Sequence, residues 1–174
     1  EVFLDSDTQV SVVSALWGAR GSNPTPIEYA AEARAIVDTL GGRQRALIHG
    51  GVLPNEHGAL AFMEVQAREF DIAAWKTYPQ WGPDGTGYWM DDEQYGIPFI
   101  EKASELGVKV ICAHRGIPLG GLDYEYSDPA DIARAARLLS LPLAGRLACC
   151  PSRSKGRLSR SAESGTIARL RSWS

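Results

Sequence analysis

The sequence predicts an α/β fold: a partial (β/α)8 TIM-type barrel of about four βα units, followed by an irregular basic tail. Three observations lead there. Short Val/Ile-rich runs alternate with amphipathic runs of helical spacing, four times over residues 10–139. The connections from helix to strand are short, whereas those from strand to helix are long, as in parallel sheets. The residues that carry chemistry gather in the long connections, where an α/β barrel keeps its active site. A doubly wound sheet is the competing architecture. No GxGxxG or P-loop follows a strand, which argues against a nucleotide-binding version.

Each element has its own signal. Val10–Trp17 is a short Val-rich run that reads as a strand. Ile27–Leu40 has helical spacing, with Thr25 as its expected N-cap, Pro26 in its first turn and Gly41-Gly42 as its stop. Ala46–Leu53 is the second strand, and Asn55–Gly58 a turn. Ala59–Phe70 is a helix with Leu60, Met63, Ala67 and Phe70 on one stripe. Ile72–Tyr78 is the third strand. A long loop rich in Trp, Tyr, Gly and Asp follows; loops of that length are commonly functional, and its aromatic content argues against disorder. Pro98–Leu106 is the third helix, ended by Gly107, and Val108–Ala113 the fourth strand. A second long loop leads to a helix with Asp128 at its N-cap and Pro129 at N1, running to about Leu139.

Composition narrows the class. The chain has 174 residues, 44% of them hydrophobic, which suits one domain. No run has the roughly 18 apolar residues of a membrane span, and the N-terminus lacks the basic and apolar regions of a signal peptide. The start within a few residues of a strand reads as a processed or shortened beginning. Cys112, Cys149 and Cys150 make no disulfide framework, so the expected setting is the reducing cytoplasm. Cys112 reads as a small buried hydrophobe.

The net charge of −3 hides an asymmetry: residues 140–174 hold seven Lys/Arg against one Asp/Glu. Helical and strand periodicity vanish there, and no fifth strand is expected. One reading of this tail is a basic segment that binds nucleic acid. The preferred reading is a GC-rich coding region translated out of frame, which makes nucleic acid an unlikely partner. The expected domains are therefore a barrel-like 1–139 and an irregular 140–174.

His114 ends the fourth strand and is open to two roles, metal ligand or general acid/base. His49 lies near the end of the second strand, where it can face the site or cap its strand. His57 is expected at the surface. No HxH, HExxH or CxxC is present, so the residues by themselves close no metal site. Lys76 sits near the end of the third strand, where a lysine is costly unless it meets an anion or a substrate. It suits Schiff-base chemistry, or else snorkels at the rim. Trp81, with Tyr88 and Trp89, suits a substrate pocket or a loop packed on itself. Asp91, Asp92 and Glu93 read as caps of the next helix before they read as metal ligands. Arg115 can neutralise a substrate carboxylate or stay solvated at the rim.

FLDSDTQVSVVS, AWKTYPQWGPDG, GIPFIEKASELGVKVICAHRGIP and YEYSDPADIARAA resemble the amidohydrolase-related family of metal-dependent hydrolases, whose relatives include aminocarboxymuconate semialdehyde decarboxylase-like enzymes. The resemblance covers residues 1–139. It implies a (β/α)8 barrel with a divalent metal, often zinc, at the carboxyl face of the strands. It places His114 at the fifth-strand ligand position, with Lys76 beside the site on the fourth strand and His49 ending the third. The family's first-strand HxH, sixth-strand histidine and eighth-strand aspartate have no counterpart here. The reaction implied is attack of metal-activated water on a C–N or C–O bond of a small molecule, and the chain as it stands is expected to be inactive or nearly so. Non-oxidative decarboxylation on the same barrel, a Lys76 Schiff-base lyase and a binding protein using the tail are the alternatives. A homo-oligomer is a further expectation, because a half-barrel leaves open sheet edges.

Overall fold

A computed structural model of the chain describes residues 3, 5–16, 23–41, 43–108, 110–116, 122–138 and 146–151. It is an α/β structure built on one sheet of five parallel strands in the order β1-β2-β3-β4-β5. The strands are β1 (Ser11–Val13), β2 (Ala46–Gly51), β3 (Ala74–Thr77), β4 (Val110–Arg115) and β5 (Arg146–Pro151). Between them run the helices α1 (Ile27–Thr39), α2 (Ala59–Phe70), α3 (Gly96–Glu105) and α4 (Ala130–Leu138), with a 3₁₀ turn at Tyr124–Ser127. Strand order follows chain order, so among the described residues the sheet has no switch point of the kind that defines a doubly wound fold.

The helices form where the spacing predicts them. The residue range of α2 is the expected one, and α1 stops one residue short of Leu40. Gly41 and Gly107, each just past a helix end, have φ of 90° and 74°. That left-handed conformation is open to glycine at little cost, and it turns the chain back toward the next strand. Thr25 does not cap α1: the N-cap is Pro26, and the Thr25 hydroxyl accepts a hydrogen bond from Leu16 N at 2.7 Å. The hydroxyl thus anchors the β1–α1 connection instead of the helix. Asp92 does serve the helix that follows it, its Oδ1 accepting from the amides of Gln94 and Tyr95.

The strands are shorter than the apolar runs suggested, and β4 extends further, taking in His114 and Arg115. The expectation of no fifth strand is corrected: Arg146–Pro151 pairs in parallel with β4, with Cys150 opposite His114. The segment lacks β-branched residues, but an edge strand offers backbone donors and acceptors that do not depend on them. Gly42, Trp17, residues 117–121, Leu139 and the rest of the basic tail lie outside the described residues.

Strand side chains alternate between two faces. On one, Ile48, Trp75, Ile111 and Ala113 pack against Met63 of α2, Phe99, Ile100 and Ala103 of α3, and Ala135 of α4. This is the core. Fully burying each large side chain here is worth about 1.5–3 kcal/mol, so the sheet–helix contact is the main stabilising layer. The other face carries the polar residues described next.

Candidate functional site

Ser14, His49, Lys76, Tyr78, Cys112 and His114 form a connected row across the second face of the sheet. Period-2 alternation selects them, and the register places Cys112 beside Lys76. Ser14 Oγ stands 3.0 Å from His49 Nδ1, and His49 Nε2 stands 3.9 Å from Cys112 Sγ. The Lys76 ammonium lies 4.6 Å from the centre of the Tyr78 ring, a cation–π arrangement. The rings of Tyr78 and His114 are 5.0 Å apart and tilted by 30°. The Tyr78 hydroxyl donates to Ala15 O at 3.2 Å, which holds the ring in place. Ser14 and Tyr78 directly follow their strands and Lys76 and His114 are penultimate in theirs, whereas His49 sits two residues and Cys112 three residues before the strand end.

Burial and charge set the state of this row. Burial, followed by the neighbouring Lys76 charge, lowers the pKa of the half-buried His49 imidazole. Lys76 is 7% exposed. A neutral imidazole beside a buried ammonium offers a proton acceptor next to a fixed positive charge.

A cavity of about 390 Å³ opens beside the row, between the ends of β1 and β2 and the first turns of α1 and α2. Lys76 and Tyr78 belong to both the row and the cavity lining. Gln66 of α2 fixes its wall. The Gln66 side chain donates to Gly51 O at 2.8 Å and accepts from Gly51 N at 3.0 Å, replacing ladder partners at the end of β2.

The structure brings His49, Lys76 and His114 into one row and separates Arg115 and Trp81 from it. The sequence puts Arg115 at the rim; the structure buries it, at 3% exposure, on the helix side of β4. Its guanidinium forms an ion pair with the fully buried Asp131 of α4 and donates to Tyr126 O. Alternation accounts for the difference, since neighbours 114 and 115 must face opposite ways. Trp81 sits in the turn after β3, its carbonyl accepting from Asn55 Nδ2 at 2.9 Å, and it does not line the cavity. Two later aromatics of that loop pack against the fold: Tyr88 is buried, bonding to Thr77, and Trp89 packs against Tyr126 at 4.9 Å. Asp91 forms an ion pair with Arg134. His57 is exposed and Cys112 buried, as expected.

Ser14, Gln66 and the cavity residues Glu28 and Glu56 were not legible as site residues. Ser14 and Gln66 carried no motif, and only the fold brings the two glutamates to one cavity. Tyr78 was readable only as the end of the third strand. The described residues contain no group of three or more His, Cys, Asp or Glu placed to hold a metal ion. Among them, no helix is long and apolar enough to cross a membrane. No family model matches the chain, and neither does any curated protein or solved structure.

Proposed function

We propose that the chain is part of a (β/α)8 barrel of the amidohydrolase-related kind. In this reading the carboxyl edge of its sheet is the active-site edge of a hydrolase acting on a C–N or C–O bond of a small molecule. One observation carries the reading: consecutive parallel strands place Ser14, His49, Lys76, Tyr78 and His114 together on the face away from the helices. Sequential strand order supports a barrel over a doubly wound sheet. The expected setting is the cytoplasm, with a small-molecule substrate and no nucleic-acid or membrane partner. Open sheet edges favour a homo-oligomer.

The resemblance calls for a divalent metal, zinc by preference, with His114 among its ligands. The described residues do not complete that ligand set. The chain's own groups position and polarise. The Lys76 ammonium draws a substrate carbonyl oxygen or carboxylate toward the cavity. His49, kept neutral by burial and by Lys76, accepts a proton from an attacking water.

The test combines a metal titration with a hydrolysis assay on the full chain. Co²⁺ is expected to broaden the imidazole resonances of His114 before those of His57, with weak binding and slow hydrolysis of p-nitrophenyl esters that His114→Ala abolishes. Broadening confined to His57, or tight stoichiometric zinc binding that survives His114→Ala, overturns the proposal.

A second reading rests on a different observation, the placement of the Lys76 amine in the cavity lining beside a neutral imidazole. There Lys76, once it has given up its proton, attacks a substrate carbonyl and forms a Schiff base with loss of one water, and the reaction is a lyase step. Non-oxidative decarboxylation on the same face is the third possibility.

A further inference from the structure

We infer that the cavity between β1, β2, α1 and α2 binds a small monocarboxylate that carries a hydroxyl or amino group at the far end of an apolar body. The inference names the ligand class of the active-site edge proposed above and rests on that reading.

The cavity's size suits such a ligand: about 390 Å³ falls in the range of roughly 300–1,000 Å³ typical of small-molecule sites. Its walls are mainly apolar, from Leu16, Pro26, Ile27, Val52, Leu53 and Phe62. These walls select an apolar body and leave orientation to the few polar groups.

The charges are of two kinds. Lys76 is the one cation among the described lining residues, and it is buried in β3. Buried cations bind anions more strongly than solvated ones, because water competes less. The first turns of α1 and α2 also line the cavity, and neither helix has a side-chain N-cap. Their amide ends add positive potential. Both features favour one carboxylate on the ligand.

Glu28 and Glu56 line the same cavity. They repel a second carboxylate and accept hydrogen bonds from a hydroxyl or an amine. A dicarboxylate is therefore selected against, and so is a wholly apolar acid. The wall has little room to adapt: Gln66 holds both backbone polar groups of Gly51, and a Cβ at Gly51 would meet the Ala15 Cβ at 3.0 Å.

Isothermal titration of the full chain tests this with three probes: 4-hydroxyphenylacetate, 4-hydroxyphenylacetamide and phenylacetate. The acid is expected to bind about ten- to a hundredfold more tightly than its amide, the range of one charge-assisted hydrogen bond. Lys76→Met should bring the acid down to the level of the amide. The double variant Glu28→Gln/Glu56→Gln should narrow the preference for 4-hydroxyphenylacetate over phenylacetate. Leu53→Trp, which fills the cavity and keeps Lys76, should weaken all three probes. Equal binding of acid and amide overturns the inference, and so does binding that Leu53→Trp leaves intact. Should Lys76→Met fail to fold, the acid–amide comparison on the unaltered chain and Leu53→Trp decide the matter. His114-dependent hydrolysis without acid-selective binding defeats the ligand assignment and leaves the hydrolase reading standing. Acid-selective binding without it does the reverse.

Discussion

Arg115 and Asp131 form a buried ion pair that ties β4 to α4. The same carboxylate oxygen accepts from Met90 N at 2.7 Å, so the pair also fixes the loop between β3 and α3. Removing one partner leaves an uncompensated charge in the interior. Asp131→Ala should therefore lower the unfolding free energy by about 3–5 kcal/mol, measured by urea denaturation. Arg115→Lys should recover only part of the loss, because an ammonium lacks the planar fork that reaches both Asp131 and Tyr126 O. An Arg115→Ala chain as stable as the original would place this residue back among the rim groups.

His49 should give the chain a pH-dependent stability. Its folded pKa lies below the ordinary imidazole value of 6.5, through burial first and Lys76 second. Below 6.5 the unfolded chain therefore binds a proton that the folded chain resists, so stability falls as pH drops from 7 toward 5. His49→Gln should flatten that part of the profile in urea titrations run across the range. Lys76→Met should shift the His49 NMR titration midpoint upward, and an unmoved midpoint would remove Lys76 as a cause.

Borohydride trapping separates the two catalytic readings. With pyruvate or succinic semialdehyde, a Schiff-base lysine gives a reduced adduct on the peptide containing Lys76, read by mass spectrometry. The hydrolase reading expects no adduct there beyond the level seen on exposed lysines. Preferential labelling of Lys76 that Lys76→Met abolishes would favour the lyase.

Tyr88 and Thr77 form a buried hydroxyl pair behind the sheet. Tyr88→Phe leaves the Thr77 hydroxyl without this partner and should cost about 1–3 kcal/mol. Burial holds the Tyr88 phenol well above its ordinary pKa of 10.0. The folded chain thus keeps this proton where the unfolded chain loses it, and the contribution to stability declines as pH rises above 10. Alkaline absorbance titration should show one tyrosine ionising only with unfolding. Its titration alongside the exposed Tyr124 would contradict the buried pair.

Much of the layout was legible because local physics determines it. Apolar spacing located α1 and α2 closely, Gly41 marked the end of α1 and Gly107 the end of α3. His49, Lys76 and His114 stood out because polar groups in apolar strands are costly without a purpose. The loop after β3 was harder. Its aromatics suit a pocket as well as they suit a packed loop, and only the contacts of Tyr88 with Thr77 of β3 and of Trp89 with Tyr126 of the 3₁₀ turn show where those two rings go.

By itself the sequence determined the alternation of strand and helix, the polar strand ends and the opposite facing of His114 and Arg115, because these follow from helical and strand periods. It did not determine which of those two neighbours meets the helices. Every residue of β3 is buried, so no exposed side reveals its orientation. That choice belongs to the tertiary structure: α2, α3 and α4 cover the face of Ile48, Trp75, Ile111 and Ala113. Arg115 is thereby carried inward to Asp131, and His49, Lys76 and His114 are left on the other face. The fifth strand was settled the same way, by backbone pairing along the edge of β4, which no side-chain pattern in Arg146–Pro151 announced.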